Sequence, residues 1–153
     1  AGAPFHWVVA DTGIRAETRD VVADVHRSWQ AERIRYERLF ARMGDAVRAA
    51  RRALSAGDAA ALGRLMDENQ ALLGALGVSC AALDALIGAA RAAGALGAKL
   101  SGGGRGGVMI ALVTAATADS VEAALRRAGA VQTIRTSLGP AAPAQGEETI
   151  GTP

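Results

Sequence analysis

A run of glycine residues in the second half of the chain constrains the fold more than any other feature. Residues 102–107 read Gly-Gly-Gly-Arg-Gly-Gly, and they separate the short segment 97–101 from the continuously apolar segment 108–113. Glycine readily adopts positive φ angles and lets other backbone atoms approach closely, but it weakens the interior of a helix or strand. An uninterrupted apolar segment of this length is typical of a buried central strand. The sequence therefore predicts two strands joined by a glycine loop.

Strand and helix patterns follow one another along the rest of the chain. Bulky and β-branched residues predict a first strand over residues 5–11 and a last strand over residues 130–136. Residues 17–94 are predicted to be largely helical. The first predicted helix spans residues 17–27, and the second is long, ends at 55–57 and has an apolar stripe of Leu39, Met43, Val47, Ala50 and Leu54. The third begins after the N-cap Asp58 and ends at Gly77, and the fourth is capped by Ser79 and ends at Gly94. The last has Asp119 and Glu122 as a capping box and ends at Gly129.

This order of elements predicts an α+β fold. If the helical block is contracted to one unit, the order is β-α-β-β-α-β, which is the ferredoxin-like split βαβ plan. We expect an antiparallel sheet, covered by helices on one face, with additional helices. The domain is predicted to span residues 1–138. Residues 139–153 are rich in Gly, Pro, Ala and Gln, and a flexible tail is expected there.

Composition and charge exclude several classes of protein. The chain has 153 residues, of which 50% are apolar, and this is enough to bury a sizeable core. No apolar stretch approaches the ~20 residues of a membrane span, so we expect no membrane association. A net charge of +2 is far from the charge density of a nucleic-acid-binding domain. With Cys80 as the single cysteine, a cytoplasmic location is expected.

The glycine loop is the candidate site. Successive bare amides can form a concavity that binds an anion. Arg105 would add a bidentate donor for phosphate or carboxylate, with Ser101 and Lys99 as further donors at the entry. The alternative is that the loop is only a connecting turn. Gly102, Gly104 and Gly107 satisfy the pattern G-x-G-x-x-G, but a strand follows instead of the helix that a dinucleotide fold requires.

Other residues with chemical potential carry weaker hypotheses. Asp11 precedes Thr-Gly and is expected to form a turn, although it could orient a substrate or metal. His6 and His26 lack the spacing of metal ligands. Cys80 is expected to be a small buried residue. The arginines of residues 33–52 are typical of a solvated helix face, with few aromatic residues nearby to stack on bases.

Three separated motifs resemble one known family. They are residues 10–14 with Thr18 and Arg19 soon after, residues 69–79 with Asn69-Gln70 at their start, and residues 94–104 with the beginning of the glycine loop. In this order they are similar to the C-terminal half of the mevalonate kinases, which belong to the GHMP kinases. The resemblance spans about residues 5–136. It implies a C-terminal domain with a ferredoxin-like core and added helices, the same fold that the element order predicts.

The resemblance also implies an activity and a set of binding residues. The activity is ATP-dependent phosphorylation of the mevalonate 5-hydroxyl, with Mg²⁺, in isoprenoid-precursor synthesis, by an enzyme that is a homodimer when complete. The glycine loop is similar to the family motif that lines the active site between two domains. The substrate- and phosphate-binding residues that it implies are Ser101, Gly102, Gly103, Gly104, Arg105, Gly106, Thr12 and Thr18. Arg105 stands where many relatives have another glycine.

The chain lacks the motifs of the family's first half. It has no Pro-x-x-x-Gly-Leu-Gly-Ser-Ser-Ala segment and none of the acidic residues of that half, which include the catalytic aspartate. Phosphoryl transfer needs the complete arrangement of donors and charges, so we expect no catalytic residue or metal ligand in this chain. The N-terminal half is the expected partner. Two alternatives stay open, namely another GHMP kinase such as phosphomevalonate kinase, and a non-catalytic ferredoxin-like binding module.

Overall fold

The protein is described by a computed structural model that covers residues 4–139. Four strands and five helices lie in these residues, in the order that the sequence predicts. The strands are β1 (Phe5–Asp11), β2 (Gly97–Ser101), β3 (Val108–Val113) and β4 (Gln132–Leu138). The helices are α1 (Thr18–Ala31), α2 (Arg33–Ala56), α3 (Ala59–Ala75), α4 (Ala81–Ala92) and α5 (Ala118–Arg127). No helix among these residues is long and apolar enough to cross a membrane.

The sheet confirms the predicted α+β fold. Its strand order is β2-β3-β1-β4, and every neighbouring pair is antiparallel. β3 is central, as its continuous apolar sequence predicts, and Met109, Ala111 and Leu112 are fully buried. Because β2 and β3 are neighbours with Ser101 opposite Val108, the glycine loop connects them directly.

One face of the sheet carries the main core. Val8, Ala10, Met109, Ala111 and Leu100 point to this face, where α1, α4 and α5 cover them. The covering side chains are Val21, Leu83, Leu86, Ile87, Val121 and Leu125. Burial of such side chains is the dominant favourable contribution to folding. Thr18, the first residue of α1, lies beside Gly103 of the loop that follows β2.

The opposite face is also partly covered, which corrects the prediction that helices lie on one face only. Leu112 is buried there with Ala53 of α2, Leu62 and Met66 of α3, and Trp7 packs against this cluster. Gly63 of α3 and Gly97 of β2 meet backbone to backbone, and a methyl group on either glycine would overlap the other segment. The sequence does not predict this close approach of α3 and β2, because an isolated glycine in a helical pattern does not indicate which distant segment it contacts.

Helix termini agree with the sequence only in part. Gly57 ends α2 in the left-handed conformation, and Asp58 caps α3 by accepting the amide of Ala61 at 2.8 Å. The prediction of Ser79 as the cap of α4 is wrong, because Cys80 holds that position and the Ser79 hydroxyl donates to Asp84 instead.

Two further details of the helix predictions are wrong. The Asp119–Glu122 capping box does not form, since Thr117 is the N-cap residue and Glu122 turns toward Thr133 and Arg135 of β4. The apolar stripe predicted for α2 is wrong at two of its five positions, since Leu39, Met43 and Ala50 pack against the core as predicted. Val47 and Leu54 are exposed, whereas Tyr36, Ala46 and Ala53 are buried.

Candidate functional site

The glycine loop has a backbone that ordinary residues rarely adopt. Five of its six residues have positive φ, namely Gly102 (94°), Gly104 (88°), Arg105 (55°), Gly106 (147°) and Gly107 (73°). Among the described residues, Arg105 is the only one with positive φ that is not glycine. A side chain in this region costs about 1–2 kcal/mol, so contacts elsewhere have to stabilise Arg105 there.

The second half of the loop, residues 104–107, packs against two other segments. Gly104 and Gly106 are buried. A methyl group on Gly104 would overlap the carbonyl oxygen of Val78, in the turn between α3 and α4. A methyl group on Gly106 would come within 2.6 Å of the carbonyl oxygen of Ile14. Glycine is needed at both positions because backbone occupies the space of a side chain.

Three backbone hydrogen bonds fix this packed half. The Arg105 amide donates to the Val78 carbonyl at 2.7 Å, and the Gly107 amide donates to the Ile14 carbonyl at 2.8 Å. The Gly107 carbonyl in turn accepts the Thr12 amide at 2.9 Å. These amides are therefore not available to an anion, which limits the predicted concavity to the other amides of the loop.

The Arg105 side chain is engaged by protein groups. Its guanidinium donates to the Gly77 carbonyl through Nε at 3.2 Å and forms an ion pair with Asp24 of α1 through Nη1. The hydrogen bond from Arg105 lowers the pKa of Asp24, and the nearby charge of Arg27 acts in the same direction. Arg105 thus joins the loop to α1 and to the α3–α4 turn, and its guanidinium is paired with protein groups.

Thr12 is hydrogen-bonded to the packed half of the loop. It is buried, and its hydroxyl donates to the Gly107 carbonyl at 2.8 Å while accepting the Ile14 amide at 3.2 Å. Asp11 accepts the Gly13 amide at 2.8 Å, which confirms the interpretation of Asp11 as a turn residue. Both side chains shape the segment after β1 that carries the Ile14 carbonyl.

The first half of the loop, residues 102–103, is open. Gly102 is exposed and Gly103 lies beside the Thr18 hydroxyl, at the first position of α1. The amides of Gly102 and Gly103 donate to no acceptor in the part of the chain that the structure describes. Ser101, at the end of β2, is half-buried next to them. The structure thus brings Thr18, Ser101 and the two open glycines together.

Lys99 does not join this group. Its ammonium donates to the Leu100 carbonyl at 2.7 Å, and its side chain lines a cavity with residues of α2 and α3. Burial lowers the pKa of Lys99 below its usual value. The prediction that Lys99 adds a donor at the entry of the loop is therefore wrong.

The remaining candidates show no catalytic grouping. Residues 4–139 contain no cluster of three or more His, Cys, Asp or Glu side chains that could hold a metal ion. His26 packs against Trp29 with a ring separation of 5.4 Å, and Cys80 is half-buried at the N-cap of α4. Four cavities of about 210 to 530 Å³ lie elsewhere on the surface, and loop residues line none of these four.

Two residues that hold the loop received no role in the sequence analysis. Asp24 is 81 residues from Arg105 in sequence, and no local pattern connects them. Gln70 is buried, accepts the Leu100 amide at 2.9 Å and donates to the Ser79 hydroxyl at 3.2 Å, so it fixes the strand that leads into the loop. The sequence does contain a signal for Gln70, because it is a polar residue on the apolar side of the helix predicted after Asp58.

Comparison with known proteins identifies similar chains. The family model described as "GHMP kinases C terminal" matches residues 46–131. A mevalonate kinase from Thermococcus onnurineus is 43% identical over 110 residues, which are 69% of this chain and 33% of that protein. A mevalonate kinase from Pyrococcus horikoshii is 39% identical over 132 residues, which are 83% of this chain and 39% of that protein.

Solved structures show the same relationship. The crystal structure of L. major mevalonate kinase in complex with R-mevalonate superposes with a TM-score of 0.87 and 37% identity. The superposition covers 93% of this chain and 44% of that one. The chain spans between about a third and four tenths of the length of the curated relatives that it matches.

Proposed function

Because this chain belongs to the GHMP kinase family, through that family's C-terminal domain, we propose that it is the C-terminal half of a mevalonate kinase. Together with an N-terminal half it would transfer the γ-phosphoryl group of ATP to the 5-hydroxyl of mevalonate. The observation that carries this proposal is the glycine loop, in which a packed half holds an open half beside the start of α1. The named activities of its relatives support the choice of mevalonate.

The open half supplies the chemistry that a phosphate needs. The free amides of Gly102 and Gly103 are donors for phosphate oxygens, and the hydroxyls of Thr18 and Ser101 add two more. The N-terminus of α1 contributes the positive end of a helix dipole. Phosphoryl transfer depends mainly on such positioning and charge stabilisation. In this proposal the donors of this chain form one side of the active site, and the N-terminal half forms the other side.

The other candidate residues receive positioning roles in this proposal. Thr12, Gly104 and Gly106 fix the backbone of the packed half, and Arg105 anchors it to Asp24. None of them has to touch the substrate. Their effect on activity would arise through the position of the Gly102 and Gly103 amides.

Mg²⁺ is the expected metal of the reaction, but the residues described here do not fit a metal site. Residues 4–139 offer no cluster of three or more His, Cys, Asp or Glu side chains that could ligate it. A divalent ion in this position needs several oxygen ligands from carboxylates, water or phosphate. We therefore assign no metal ligand to this chain and no step that depends on one.

The test is reconstitution with the missing half. This chain would be coexpressed with the N-terminal half of one of the matched archaeal mevalonate kinases, and ATP-dependent phosphorylation of mevalonate would be followed by ADP release and mass spectrometry. We expect turnover by the assembled pair and none by either half alone. A correctly assembled pair without turnover on mevalonate would contradict the proposal.

A substrate panel separates the alternatives. Phosphomevalonate and galactose would be offered to the same pair alongside mevalonate, and preference for either would assign a different GHMP kinase activity. If the pair does not assemble and this chain is a stable monomer, the non-catalytic binding module gains support. The same samples would test the expected homodimer by light scattering. Cytoplasmic location stays a prediction for cell fractionation.

A further inference from the structure

Lysine is nearly absent from this chain. Its 17 basic residues are 16 arginines and one lysine, Lys99. Arginine stays charged in nearly every environment, whereas a lysine amine readily loses its proton when it is buried. Lys99 is therefore the one Lys or Arg side chain of this sequence that readily becomes neutral when it is buried.

The surroundings of Lys99 are apolar and lack a counter-charge. The side chain is half-buried and lines a cavity of about 210 Å³ between α2, α3 and β2. The other lining residues are Ala46, Val47, Ala50, Leu65, Met66 and Asn69, so no carboxylate lines the cavity. The Nζ atom donates to the Leu100 carbonyl at 2.7 Å, and none of the ion pairs between described residues includes it.

This environment shifts the protonation equilibrium of Lys99 toward the free amine. Burial without a neighbouring carboxylate disfavours the ammonium form and lowers the pKa of Lys99. The unprotonated amine is the nucleophile, and its fraction near neutral pH rises when the pKa falls. The cavity next to the side chain leaves room for a small apolar group, which its alanine, valine and leucine walls would accommodate.

We propose that Lys99 is an acylation site that accepts short acyl groups from acyl phosphates. The Nζ lone pair attacks the acyl carbonyl carbon, a C–N bond forms, and the C–O bond to phosphate breaks. Phosphate leaves with the bonding electron pair, and the proton lost from Nζ passes to water. The product is a neutral amide whose short acyl chain lies in the cavity, and its remaining N–H can still donate to the Leu100 carbonyl. This inference does not depend on the proposed kinase function.

The experiment compares Lys99 with an ordinary lysine in the same molecule. Arg127→Lys introduces an exposed amine at the end of α5, at a residue that does not line the cavity. The purified variant would be treated with acetyl phosphate near neutral pH, and peptide mass spectrometry would follow both sites over time. We expect Lys99 to be acetylated severalfold faster than the introduced lysine. Equal or slower modification of Lys99 would overturn the proposal.

A second comparison tests the cavity. Benzoyl phosphate carries a larger acyl group, so the ratio of Lys99 modification to modification of the introduced lysine should fall severalfold relative to acetyl phosphate. Ala50→Leu, which fills the cavity, should lower the same ratio for acetyl phosphate. A ratio that is unaffected by acyl size would contradict the proposed role of the cavity even if Ala50→Leu failed to fold.

Discussion

Two glycines of the loop, Gly102 in the open half and Gly104 in the packed half, have similar φ but differ in their surroundings. Gly102 and Gly104 have nearly the same φ, 94° and 88°. No atom lies within 4 Å of the place that a Gly102 side chain would occupy, whereas the same place at Gly104 is filled by the Val78 carbonyl. The comparison shows that glycine serves two purposes here, since one half needs it for close packing and the other for open donors.

Under the proposed function, this difference separates the contribution to stability from the contribution to binding within one loop. Two amides of the packed half, those of Arg105 and Gly107, donate to the Val78 and Ile14 carbonyls, and these bonds fix its position against two distant segments. The amides of Gly102 and Gly103 donate to no acceptor among the described residues, and the proposed function assigns them to a phosphate ligand. Substitutions should therefore reduce stability in the packed half and activity in the open half.

The largest effect is expected for Gly104→Ala. The new methyl group meets the Val78 carbonyl and also requires positive φ, so we expect the free energy of unfolding to fall by about 3 kcal/mol or more. Urea denaturation would measure it. The matched control is Gly102→Ala, which has the same φ strain in open space and should cost only about 1 kcal/mol. Equal losses at both positions would refute the distinction between the halves.

A smaller loss is expected for Gly106→Ala. The methyl group would approach the Ile14 carbonyl oxygen at 2.6 Å, a longer distance than that to the Val78 carbonyl oxygen at Gly104, and Ile14 is exposed whereas Val78 is buried. Since φ of 147° still disfavours a side chain, a loss of about 2 kcal/mol is expected. Thermal unfolding of this variant beside Gly104→Ala gives the ranking. A loss larger than that of Gly104→Ala would contradict the assignment of Val78 as the firmer contact.

Thr12→Val removes a buried hydroxyl without changing the size of the side chain. The Gly107 carbonyl keeps the Thr12 amide as a donor, but the bond from the hydroxyl to this carbonyl and the bond from the Ile14 amide to the hydroxyl are both lost, at a cost of about 1–2 kcal/mol. Thr12→Ser, which retains the hydroxyl, is the control. If serine and valine destabilise equally, the methyl group and not the hydrogen bond is important at this position.

Asp24→Asn should reveal a weak, pH-dependent contribution. The pKa of Asp24 is lowered in the folded state by the Arg105 hydrogen bond. Its contribution is therefore present above the carboxyl pKa of the unfolded chain and is lost as pH falls through the lower folded-state value. Wild type should be slightly more stable than the variant at neutral pH, and the two should converge in acid. Asp45→Asn, in an exposed pair with Arg48, is the control and should have no effect. A difference that persists in acid would exclude the ion pair as its cause.

Thr18→Val should have the smallest effect on stability and a clear effect on activity. Thr18 is exposed beside Gly103, so the free energy of unfolding should be nearly unchanged, whereas kcat/KM of the reconstituted enzyme should fall about tenfold if one hydrogen bond to phosphate is lost. Thr136→Val, on exposed β4, is the control for an equivalent change away from the loop. Unchanged kcat/KM would remove Thr18 from the proposed donors.

Short-range patterns determined most of the fold. The strand at 5–11 matches β1, the apolar segment 108–113 matches β3, and residues 17–94 are largely helical, as the sequence predicts. These signals are local because hydrophobic periodicity and glycine punctuation act within one element. The position of the glycine loop between two neighbouring strands, and with it the place of the candidate site, was therefore readable from the sequence. The structure of residues 140–153, where most of the expected flexible tail lies, is outside the described residues.

Only the tertiary structure decided what each candidate residue contacts. Arg105 pairs with Asp24 across 81 residues, Lys99 turns into a cavity, and the second sheet face gains a cover from α2 and α3. Such contacts depend on how elements that are distant in sequence pack together. The local preference of a residue for helix or strand does not specify which distant residue it will contact. The sequence thus determined where donors and cations occur, whereas the packing of α1, α3 and the turns around the loop determined which of them remain free to bind.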